Sequence, residues 1–165
     1  MAAAETATMN EVKQFYVFRL QENGNSFTHQ QQADYYAISL VSNNTPGVEA
    51  LLCFHNLQAP QPGGSIAYQR SGFSCLFNAA FLSHKMQDVL HALPMFRKEA
   101  RPVYYLNKKQ NNSVRELFEK MLEEANNNYA FKYELLGNYL AEIIHHALKM
   151  QPNSCSQMTQ ICTDQ

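Results

Sequence analysis

Six histidines and four cysteines are the side chains of this 165-residue chain that could hold a metal or attack a substrate, and their spacing limits both chemistries. A metal centre needs three or four donors drawn together. His29 has no histidine or carboxylate at ligand spacing, which predicts a loop or surface histidine. His145 and His146 are adjacent on a predicted helix and so do not share a face. His55 follows Phe54 in an apolar run; it could line a cavity mouth or pack at a core edge. Cys53, Cys75, Cys155 and Cys162 form no C-x-x-C and no Cys–His ligand pair. Cys75 is the one tempting nucleophile, but nothing beside it would lower its pKa, so an inert thiol in the core is expected. Glu123 and Glu124 read as the solvated side of a helix. Gly63 and Gly64 lack the helix N-terminus that a phosphate cradle requires. The expectation is no catalytic residue, no metal and no cofactor.

The elements that would position these groups follow from the hydrophobic period. Phe15 to Leu20 reads as a strand and Asn23-Gly24-Asn25 as a turn. Asp34 to Val41 alternates as a second strand, with Tyr36, Ile38 and Leu40 on one face. Ser42 to Gly47 is a turn cluster, and Val48 to Leu57 a third strand. Two prolines and two glycines make residues 58–64 a loop. Ser65 to Asn78 is a closing strand segment bent at Gly72, with Phe73, Cys75 and Phe77 on one face. The period then changes from two to about 3.6. Ser83 caps a short helix with Met86, Val89, Leu90 and Leu93 inward, and Pro94 stops it. Arg101 to Leu106 is extended. Asn107-x-x-Gln110 and Ser113-x-x-Glu116 are alternative capping boxes for a helix that ends at Asn126-Asn127-Asn128. A last helix covers about residues 131–150, with Tyr133, Leu136, Leu140, Ile143, Ala147 and Met150 as its apolar seam. The short connection makes the two helices antiparallel neighbours. Strands first and helices after is an α+β order.

Charge excludes a nucleic-acid reader in this chain. The formal net charge is −1, and residues 107–150 carry six basic and six acidic side chains. No apolar run approaches a membrane span, no signal-peptide pattern opens the chain, and no disulfide framework is visible. A reducing cytoplasm is therefore expected.

The order of these elements resembles the sensor domain of AraC-type bacterial transcription regulators. The likeness rests on Asp34-Tyr35-Tyr36-Ala37-Ile38, on residues 71–82, on Phe118 to Glu124, on Tyr133 to Leu140 and on Ile143 to Leu148. It implies a cupin-like double-stranded β-helix barrel over residues 13–106 and a helical hairpin over 107–150, between a disordered segment 1–12 and a flexible tail 151–165. It also implies a small-molecule effector in the barrel, with Tyr36, Ile38, Phe54, His55, Phe73 and Cys75 as lining residues. A homodimer is expected through Tyr133, Leu136, Leu140, Ile143 and Ala147. Gln31 and Ala33 stand where a cupin would carry its metal-binding histidines, and the stretch from Val41 to Val48 is short, which predicts a barrel lacking strands there. No helix-turn-helix pattern follows Met150, so the expectation is a sensing and pairing module that meets DNA only through a separate C-terminal domain. The alternative is a freestanding cupin-like binding protein or small enzyme.

Overall fold

Strand pairing in this chain is nested. In the computed structural model, which describes residues 15–20, 26–28, 35–57, 65–67, 71–97 and 102–150, the first strand pairs with the sixth, the second with the fifth and the third with the fourth. The strands are β1 (Phe15–Leu20), β2 (Ser26–Thr28), β3 (Tyr35–Ser42), β4 (Ala50–Asn56), β5 (Ser65–Ala67), β6 (Gly72–Asn78) and β7 (Val103–Leu106). All pairs are antiparallel. One sheet has the order β1-β6-β3-β4-β7, and β2-β5 is a separate ribbon. The five-stranded sheet is open, with β1 and β7 as its edges, so the barrel closure expected for residues 13–106 is absent from it. The expected closing strand is two strands, β5 and β6.

Gly72 is the first residue of β6. Its φ is +155°, and a Cβ there would collide with the Leu40 carbonyl oxygen on β3, so only glycine permits this close approach. Asn78 ends β6 by accepting a hydrogen bond from the Ala80 amide at 2.9 Å, which opens a 3₁₀ turn over Ala79–Phe81. Ser83 Oγ then accepts from the Met86 amide and starts α1 (His84–Leu90). Leu90 is fully buried, but Val89 is 42% exposed and lies outward, against the inward expectation. Of the two alternative boxes, the first is the one used: Asn107 Oδ1 accepts from the Gln110 amide at 2.9 Å, Gln110 Oε1 accepts from the Asn107 amide at 3.0 Å, and the pair opens α2 (Lys108–Ala125). The last helix, α3, covers Lys132–Lys149.

Both helices of the hairpin lie on one face of the sheet. Tyr36, Ile38, Leu40, Leu52, Phe54, Phe73, Cys75 and Phe77 from the strands form a single core with Leu90, Phe96, Phe118, Leu136, Leu140 and Ile143. Phe96, in the 3₁₀ turn Pro94–Phe96, packs edge-on against Tyr36, Phe54 and Phe77. Asn56 Nδ2 donates to the Phe96 carbonyl at 3.0 Å and locks that turn to β4. The core is continuous from sheet to hairpin, so the two parts are one packing unit.

Candidate functional site

Five of the six residues expected to line an effector cavity are filled core. Tyr36, Ile38, Phe54, Phe73 and Cys75 are at most 1% exposed and belong to the core that the helices cover. Their packing is satisfied by side chains of this chain, so this face offers no lumen. Burial also pushes the Cys75 thiol up to about 12, which removes it as a nucleophile near neutral pH. His55 differs: it is half-buried and lies on the other face of the sheet.

That second face carries a smaller buried cluster of its own. Directly paired residues share a face. The register therefore sets Phe18, Ser74, Ser39, Cys53 and Val103 in one row, and Tyr16, Leu76, Ala37 and His55 in the next. Small side chains occupy the middle of the face and aromatic ones its β1 side. Ser39 and Ser74 are buried and join Oγ to Oγ at 2.8 Å; Ser74 Oγ also donates to the Ile38 carbonyl at 3.4 Å. Tyr35, Ala37, Leu57 and Leu76 form a second, smaller core there, with Tyr16 and Phe18 packed on it. Ala37, Ser39 and Ser74 are as fully buried as the helix-covered core, and Cys53 and His55 on this face of β4 are half-buried. Strand parity was legible in the sequence, but which parity the helices would cover was not.

The expected dimer seam is likewise core. Leu136, Leu140, Ile143 and Ala147 are at most 2% exposed against the sheet and α2, which corrects their reading as an intermolecular interface; Tyr133 is half-buried. The face of α3 that remains open carries Glu134, Asn138, Glu142, His145 and Leu148, with Leu148 40% exposed. Beside it runs a groove of about 410 Å³ between α3 and the start of α1, with Phe81, Leu82 and Met86 on one wall and Tyr133, Gly137 and Ala141 on the other. A Cβ at Gly137 would stand 3.7 Å from the Phe81 carbonyl oxygen, an ordinary contact.

The remaining singled-out groups are scattered. His145 is exposed, and His146 Nε2 lies 3.9 Å from Glu142 Oε1. Glu124 is half-buried rather than solvated, with its Oε2 accepting from Asn127 Nδ2 at 2.8 Å. The Glu116 carboxylate, 2.9 Å away, raises the pKa of Lys120. Among the described residues, no three His, Cys, Asp or Glu side chains converge as metal ligands, and no helix is long and apolar enough to cross a membrane. His29, Gly63, Gly64, Cys155 and Cys162 lie outside the described residues. The chain matches no family model and no curated protein.

Proposed function

We propose that this chain is the effector-sensing and dimerisation module of an AraC-type transcription regulator. The observation that supports it is the nested pairing β1–β6, β2–β5 and β3–β4, followed by an antiparallel helical hairpin. A long hairpin folded back so that its strands pair from the outside in is the winding of a double-stranded β-helix. Here its central connection is reduced to the residues between Ser42 and Ala50. On this reading the effector meets the second face at the half-buried Cys53 and His55 of β4, and not the helix-covered face. DNA contact belongs to a helix-turn-helix domain elsewhere in the intact regulator.

The pairing surface is the open face of α3. If two α3 helices cross antiparallel near Ala141, Glu134 of one copy faces the partner's Lys149, and the partner's Leu148 enters the groove beside Tyr133 and Gly137. Opposite charges at the two ends and a symmetric apolar contact between them suit a two-fold interface. Sedimentation equilibrium tests the pairing: the wild-type chain is expected to be a dimer at micromolar concentration, and Leu148→Glu a folded monomer. A wild-type monomer at high micromolar concentration would sink the dimer. The sensing half is tested by melting the chain against a panel of small metabolites. A compound that raises Tm is expected to lose its effect in His55→Ala; retention of the full effect would move the site elsewhere.

A further inference from the structure

The groove between α3 and the start of α1 carries a single charge: of the side chains that line it, Glu134 alone is ionic. Glu134 is exposed, and no ion pair to it is present among the described residues. Lys132, the nearest basic residue in sequence, is turned to the hairpin connection. Its Nζ donates to the Asn127 carbonyl at 3.2 Å and lies 5.3 Å from the Tyr133 ring centroid. A second acceptor faces α3 across the groove. The Phe81 carbonyl oxygen stands 3.7 Å from where a Cβ at Gly137 would be, and no described residue donates to it. Glu134, Gly137 and Asn138 are three and four residues apart, so they share one face of α3. The walls are apolar. Phe81 and Tyr133 meet edge to face at 6.5 Å between centroids, Phe15 on β1 stacks on Phe81 at 4.7 Å, and Met86 continues the lining.

We propose that this groove binds a primary alkylammonium ligand, with its head at Glu134 and the Phe81 carbonyl and its stem along Phe81, Tyr133 and Met86. An ammonium head carries three N–H donors and a positive charge. The groove supplies a carboxylate, a carbonyl that no described residue uses, and the carboxamide oxygen of Asn138. Its one ionic side chain is acidic, which favours a cation and disfavours an anion. Its volume of about 410 Å³ lies in the range of small-molecule sites, which combine apolar walls with a few polar groups. Glu134 also stands in the first turn of α3, where the helix dipole favours any carboxylate. The dipole does not account for the facing carbonyl or the aromatic walls. The site does not rest on the regulator reading. On that reading the partner's Leu148 enters the same groove, so ligand and pairing compete.

The test is a titration of the ¹⁵N-labelled full chain at neutral pH, read on the amide resonances of Leu82, Gly137 and Asn138. The probe is hexylamine. Hexanol keeps the stem without the charge, hexanoate reverses the charge, and hexyltrimethylammonium keeps the charge without N–H donors. Hexylamine is expected to shift these resonances saturably and more tightly than any of the three. Glu134→Gln is expected to weaken hexylamine binding by about fivefold, the size of an ion pair open to water, and to leave hexanol binding unchanged. Gly137→Ala sets a methyl against the Phe81 carbonyl in ordinary contact, so the fold is kept and hexylamine binding is expected to weaken. Hexanol, hexanoate or hexyltrimethylammonium binding as tightly as hexylamine would overturn the proposal. Unchanged hexylamine affinity in either variant would do the same. The titration is repeated on Leu148→Glu, which removes the competing side chain. Absence of a saturable shift there cannot be laid to pairing and would also overturn it.

Discussion

Cys75 shows how one buried side chain couples to the solvent. Its thiol sits in the sheet–helix core, where burial raises its pKa from 9.0 to about 12. Below pH 9.0 the thiol is protonated in both the folded and the unfolded chain, and its titration leaves stability unchanged. Between 9.0 and about 12 the unfolded chain releases the proton and the folded chain does not, so stability falls as pH rises. The slope from this group approaches about 1.4 kcal/mol per pH unit. Urea unfolding at pH 8, 9 and 10 is expected to show that Cys75→Ala loses less stability across the series than the wild-type chain, whatever its offset at pH 8. Parallel pH profiles for the two proteins would mean that the thiol ionises in the folded state. The thiol's inertness was legible from its place in an apolar alternation, because alternation alone buries one parity of residues. The burial of Ser39 and Ser74 was not legible, since a hydroxyl on the opposite parity reads as solvent-facing until something covers it.

At the scale of elements, local chemistry set the boundaries. The Asn107–Gln110 box is made by residues three apart and places the start of α2 at Lys108. Asn107→Ala is expected to lower stability by about 1 kcal/mol, measured as a shift of the urea midpoint at unchanged slope. No shift would mean that packing of Val114, Leu117 and Phe118 alone holds that end of the helix. The rival start at Ser113 had the same sequence pattern, but Ser113 Oγ donates to the Lys109 carbonyl at 3.1 Å from inside the helix. The seam of α3 was read correctly as a stripe and wrongly as an interface. A helix at the surface shows the same period whether it packs on its own sheet or on a second chain.

For the molecule as a whole, the continuous core joins what the sequence divides at residue 106. Removing α2 and α3 would take Phe118 from Phe73 and leave Tyr36, Phe54 and Phe77 with Phe96 but without the helical part of their shared core. A chain ending at Leu106 is therefore expected to lack fixed packing, with no near-UV circular dichroism and poor amide dispersion in NMR. A cooperatively melting 1–106 fragment would show that the sheet is independent of the hairpin. Alternation, capping residues and turn composition are local, and from them the sequence by itself determined the α+β order, most of the strands and the helical hairpin. The tertiary structure alone decided which face of the sheet the hairpin covers, that the five-stranded sheet stays open and that Phe81 and Tyr133 line one groove. Those outcomes depend on contacts between residues far apart in the chain, such as Phe73 with Phe118, and no local pattern encodes the direction from which a distant helix arrives.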